Sequence, residues 1–177
     1  MGKPRAFLSF TDHIGLDVFA RSLDKCSYEC LAYGSTQTVI EEAGVPLGSM
    51  RETLALTLNL TRQELSFAIA KHISRGSVAN SIGLVGVGIK PLDQDATVRD
   101  VDLGGLAIIT ATLDAGLPIL THTSQLEEAS QRIDAGEFFD RAYLAGLAGV
   151  ALAQVTDYPH SVERRFKMAY CGIGAED

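Results

Sequence analysis

Four short stretches of this chain combine glycines, hydroxyls and titratable side chains in patterns that suit anion binding or proton transfer. They are Ser9-Phe10-Thr11-Asp12-His13-Ile14-Gly15, Gly34-Ser35-Thr36, Gly88-Ile89-Lys90-Pro91 and Asp102-Leu103-Gly104-Gly105. In the second, Gly34 allows a tight turn, and Ser35, Thr36 and the free amides of a helix start can ring an anionic oxygen. The same hydroxyls also suit a simple helix cap. Ser9 and Thr11 supply a second hydroxyl-bearing turn beside it. An imidazole such as His13 on a ligand-facing turn suits proton transfer near neutral pH. Lys90, placed beside a bound substrate, could stabilise an oxyanion or carry a proton.

The elements that would position these turns alternate. Arg5 to Phe10, Tyr28 to Tyr33, Ile82 to Ile89 and Pro118 to His122 read as strands. Gly15 to Asp24, Thr36 to Ala43, Thr61 to Ser74 and Gly105 to Ala115 carry helical apolar spacing. Ser124 with Glu127 three residues on predicts a capping box at the start of another helix, and Phe138 to Val155 predicts one long helix rich in Ala, Leu and Gly. This order implies βαβ units: an α/β fold of three layers, a mainly parallel sheet with helices on both faces. In such a sheet ligands bind beyond the carboxyl ends of the strands, where the four stretches fall. The weakest link is the polar connection from Pro91 to Val101.

A chain of 177 residues, 46% of them hydrophobic, is expected to form a single domain over residues 1–177. A net charge of −7, from 15 basic and 22 acidic residues, argues against a nucleic-acid partner. No run of eighteen apolar residues and no signal-like amino end are present, so no membrane association and a cytoplasmic location are expected. Three cysteines without paired spacing predict reduced thiols and no structural metal. His72 and His160 read as surface or packing residues, and His122 ends a strand at the same rim.

RAFLSFTDHIGLDVFARSL followed by YECLAYGSTQTVIEEAGVPL, then VGVGIKPL, VDLGGLAIITAT and the tail RRFKMAY, resembles in order the IMP cyclohydrolase domain of the bifunctional AICAR transformylase/IMP cyclohydrolase family. That family lies in the methylglyoxal-synthase-like superfamily. The resemblance implies closure of the purine ring of 5-formamido-AICAR ribotide with loss of water, or of a related nucleoside-antibiotic precursor, without a cofactor. It implies that Ser9, Thr11, Asp12, Gly34, Ser35 and Thr36 hold the ribotide phosphate. It also implies that Asp102 and the double glycine Gly104-Gly105 contact the substrate, with helix capping as the other reading of Asp102. The family's catalytic lysine in K-T-L-H-P has no counterpart in TRQELSFAIAKH, a second lysine falls near Asp114, and the family tyrosine falls on Lys90. Two function classes therefore stay open: an enzyme using Lys90, Asp102 and His13, and a nucleotide-binding regulatory module without chemistry. Methylglyoxal synthase activity fits less well, because the expected early lysine and catalytic aspartate context are missing.

The Ala/Gly/Leu stripe of Phe138 to Val155, or its neighbours, is expected to join two copies in a homodimer. Light scattering at micromolar concentration tests this, and a monomer would remove it.

Overall fold

The computed structural model describes residues 3–55, 60–75, 82–92, 97 and 100–171. Four strands, β1 (Arg5–Ser9), β2 (Glu29–Ala32), β3 (Ile82–Val87) and β4 (Ile119–Leu120), form one sheet in the order β2-β1-β3-β4. Every pairing is parallel. A parallel sheet covered on both faces needs nearly continuous apolar strands, and AFL in β1 and CLA in β2 supply them.

Alternation along the strands sorts these side chains into two cores. Ala6, Leu8, Cys30, Ala32, Leu84 and Leu120 meet helices α1 (Leu16–Lys25), α2 (Ser35–Glu42) and α6 (Leu126–Ala135). Phe7, Leu31, Val85 and Ile119 meet α4 (Arg62–Arg75), α5 (Leu103–Asp114) and α7 (Arg141–Cys171) on the other face. Helices on both faces of a parallel sheet make the three-layer α/β fold that the sequence predicts. Between Arg5 and Ala6 the β3 register advances from Ile82 to Leu84, so Gly83 is an extra residue in that strand. Ile82 and Val85 therefore share a core despite their spacing.

The helices follow from local rules. Leu16, Phe19, Ala20 and Leu23 bury one stripe of α1, which opens on Gly15 at φ 74°. A short helix, α3 (Met50–Thr53), is capped by Ser49, whose hydroxyl accepts the Glu52 amide. Just before it the chain closes the outer edge of β2: Leu47 bridges Cys30, and the Gly48 amide donates to the Cys30 carbonyl. Burial, ahead of a smaller effect from Asp24, pushes the Cys30 thiol up to about 12, whereas Cys26 is exposed.

The two helices after β4 differ from the sequence expectation. No capping box forms between Ser124 and Glu127; Thr123–Gln125 make one 3-10 turn and α6 opens at Leu126. The reason is Gln125, whose side-chain carbonyl reaches back to the amides of Thr121 and His122 at 2.8 and 3.0 Å. The long helix starts at Arg141 rather than Phe138, because the Asp140 carboxylate accepts the Tyr143 amide and caps it there. Phe138 instead fills the first core, edge-on to Phe139 and Tyr143. The helix then runs past Val155 through Pro159 to Cys171. The connection from Pro91 to Val101 lies partly outside the described residues. Among the described residues, no helix is long and apolar enough to cross a membrane.

Helices α4 and α5 approach closely at Gly104, where an added Cβ would stand 2.7 Å from the Ser66 Cβ. Gly104→Ala should destabilise the fold by about 1–3 kcal/mol in denaturant titration, as overpacking does. The same substitution in a Ser66→Gly background should cost less. Equal costs in both backgrounds would show that this contact does not set the helix spacing.

Candidate functional site

The chain runs from β1 to β2 on one side and then crosses to β3 on the other, so the sheet's switch point lies between β1 and β3. All four chemistry-bearing stretches end up at the carboxyl edge of the strands. Gly34, at φ 63° and ψ −140°, is the residue before α2 and has no side chain to cap it. The start of α2 therefore has no side-chain cap. Gly34 and Ser35 are exposed.

Thr36 behaves differently. Its hydroxyl is buried, accepts the Phe10 amide and donates to the Phe10 carbonyl, both at 3.0 Å. This threonine fastens the start of α2 to the turn after β1, so its hydroxyl is already occupied within the protein. Ser9 is buried, and its carbonyl accepts the Gly88 amide at 2.9 Å, tying the turns after β1 and β3 together. Thr11 is exposed. The two Asp12 oxygens accept the Ile14 amide at 3.2 Å and the Thr123 hydroxyl at 2.8 Å. The Thr123 bond, then the Ile14 amide, hold the Asp12 carboxyl below the usual range. His13 is half-buried, and its Nε2 has no hydrogen-bond partner among the described residues.

Lys90 and Asp102 meet at a cavity of about 210 Å³, with Arg62, Ser66, Asp100 and Gly104 also on its walls. Asp102 caps α5: Oδ1 accepts the Gly105 amide at 2.8 Å and Oδ2 the Lys90 amide at 3.3 Å. Gly105 must lack a side chain, since a Cβ there would stand 2.8 Å from Asp102 Oδ2. The double glycine thus has a structural task at both positions. The Lys90 ammonium is about half exposed and 3.9 Å from the Asp100 carboxylate. Hydrogen bonds from the Thr97 amide and hydroxyl, more than Lys90, hold that carboxyl low.

Arg62, Ser66 and Tyr33 were not singled out by the motifs. The Arg62 guanidinium lies 5.9 Å from the centre of the Tyr33 ring, and the Tyr33 and Ser66 hydroxyls are 3.1 Å apart. Tyr33 directly precedes Gly34, so the end of β2 joins the exposed helix start to this cavity. One signal was available: T-R-Q-E at Thr61 to Glu64 forms a capping box that places Arg62 in the first turn of α4. A second cavity, about 220 Å³, opens at the switch point between Thr11, Asp12, Gly88, Thr121 and His122. The Thr121 hydroxyl in its wall is buried and has no partner among the described residues.

The exposed start of α2 and the cavity at Asp102 lie at the same edge of the sheet. This chain resembles the bifunctional purine biosynthesis protein PurH. Proteins of that name from two strains of Staphylococcus epidermidis are each 24% identical over 188 residues, covering 92% of this chain. The chain spans 38% of the length of these PurH proteins. No family model matches. Among solved structures, the crystal structure of ForH superposes with a TM-score of 0.75 over 94% of this chain and 98% of that one, at 16% identity. That likeness shows a shared fold, consistent with the methylglyoxal-synthase-like architecture, and the likeness to PurH agrees with the family resemblance in the motifs.

Because Thr36 bonds the Phe10 backbone while Ser35 faces solvent, the two hydroxyls should separate on mutation. Thr36→Val should lose about 1–3 kcal/mol of stability, the cost of stranding buried backbone groups, whereas Ser35→Ala should leave the denaturation midpoint nearly unchanged. Equal midpoints for the two variants would contradict the fastening role of Thr36.

Proposed function

We propose that this chain is an IMP cyclohydrolase-like enzyme of purine-related metabolism, closing a heterocyclic ring on a ribosyl 5'-phosphate. The observation that carries the reading is the pairing of an uncapped helix start at Gly34-Ser35 with the adjacent cavity of Arg62, Lys90 and Asp102. The first suits a phosphate, whose charge the α2 amides and helix dipole favour. The second offers cationic donors and a carboxylate acceptor, which together match a carboxamide or formamide group.

In the ring closure, the carboxamide nitrogen bonds to the formyl carbon, the formyl oxygen takes up negative charge, and protons move before that oxygen leaves as water. Holding the two groups in contact supplies much of the rate. Lys90 and Arg62 would stabilise the developing oxyanion, Asp102 would accept from the carboxamide N–H, and His13 would move a proton. No step requires a cofactor. A homodimer through the small-residue face of α7 or its neighbours is part of this proposal; Val150 and Leu152 of α7 are exposed.

A nucleotide-binding module without turnover is the second reading. It is favoured by one feature: both Asp102 oxygens already accept backbone amides, so its cap alone explains the residue.

The assay is incubation with 5-formamido-AICAR ribotide, following the absorbance of ring closure, with IMP affinity measured by calorimetry. Turnover that falls in Lys90→Met and in Asp102→Asn, with IMP affinity within about threefold in Lys90→Met, supports the enzyme. IMP binding without turnover supports the module. Ser35→Glu places a carboxylate at the helix start without harming the helix, so ribotide binding should weaken by about tenfold or more and nucleoside binding should not. Ribotide binding that survives Ser35→Glu would remove the cradle.

A further inference from the structure

The Asp102 cap is incomplete by itself. In a reciprocal capping box the side chain three residues on returns to accept the cap residue's own amide. Here that residue is Gly105, which has no side chain, and which the cap geometry forbids from gaining one. The Asp102 amide is served instead from the last helix: it donates to the Tyr158 hydroxyl at 3.0 Å. Tyr158 is 9% exposed, and its ring packs in the second core with Ala151 of the same helix. Phenylalanine would fill the same space. The hydroxyl is therefore the part of this side chain that packing does not require, and its partner is the residue that faces the cavity. Burial pushes the Tyr158 phenol above its ordinary value, ahead of the opposing Asp102 bond, so it stays protonated through the neutral range.

We propose that Tyr158 is a positioning residue for the ribotide site, fixing the Asp102 backbone so that its carboxylate holds the Lys90 loop and the start of α5 in one arrangement. The inference rests on the site assigned under the proposed function. It makes α7, whose sequence carries no motif for this chemistry, part of that site.

The test compares two ligands that share the phosphate, IMP and ribose 5-phosphate, by calorimetry on the full chain. Tyr158→Phe should weaken IMP by about tenfold and leave ribose 5-phosphate unchanged, because only the heterocycle end reaches Asp102. In an Asp102→Asn background the same change should add little further loss, as coupled residues do. Exchange of the Asp102 amide proton should also quicken in Tyr158→Phe, a readout independent of ligand. IMP binding equal to the parent, equal loss for both ligands, additive losses with Asp102→Asn, or unchanged exchange would each overturn the positioning role. A parent that binds neither ligand would overturn the ribotide reading and this inference with it. A parent that binds both while Tyr158→Phe has no effect would overturn this inference alone.

Discussion

The hydroxyl of Thr36 sits at the junction on which the carboxyl edge depends. It satisfies the Phe10 amide and carbonyl together, at a point where β1 has ended and no strand partner is available for them. Buried backbone groups of this kind must be paired somewhere. By pairing them from α2, the chain locks two consecutive strand-to-helix turns into one rigid corner. Gly34, two residues earlier, can then adopt its unusual backbone without loosening α2, and the helix start carries no side-chain cap. The Ser9 carbonyl extends the same corner to Gly88, so three successive turns share a common anchor.

On the other side of the switch point, Asp102 does comparable work for α5. Its carboxylate gathers the Gly105 and Lys90 amides, and Ser66 presses close against Gly104. Arg62 arrives in the same place because α4 is capped one residue before it. Charge is distributed asymmetrically as a result: the carboxylates at this rim already accept protein donors, while the Lys90 and Arg62 cations keep much of their capacity for a ligand.

Much of this architecture was legible because the physics is local. A sheet buried on both faces demands unbroken apolar strands, and a one-sided helix such as α1 demands i, i+3, i+4 spacing; Ala6 to Leu8 and Leu16 to Leu23 show each pattern openly. The turn glycines and hydroxyls were equally visible. Legibility failed where a distant partner decided the outcome. Phe138 and Phe139 continue the apolar pattern of α7 smoothly, and only the Asp140 cap and the first core take them out of the helix. Gln125 outcompetes Ser124 by reaching backward to the chain leaving β4. The double glycine looked like a ligand contact, but the packing of Ser66 and the shape of the Asp102 cap already require both residues. Arg62 and Tyr158 enter the site from helices far away in sequence, so no spacing within their own segments announces them.

The treatment of the sheet's margins bears on how this molecule meets others. An unprotected strand edge is a template for aggregation, since its backbone groups can pair with any extended chain. Here Leu47 and Gly48 pair with Cys30 along the outside of β2, and Gly48 lies so close to Glu29 that a Cβ would stand 2.5 Å from its carboxyl carbon. At the opposite margin β4 is only two residues long, and α7 packs against it. Strand addition is thus discouraged at both ends, and association between copies is steered toward helical faces, where side chains rather than backbone choose the partner.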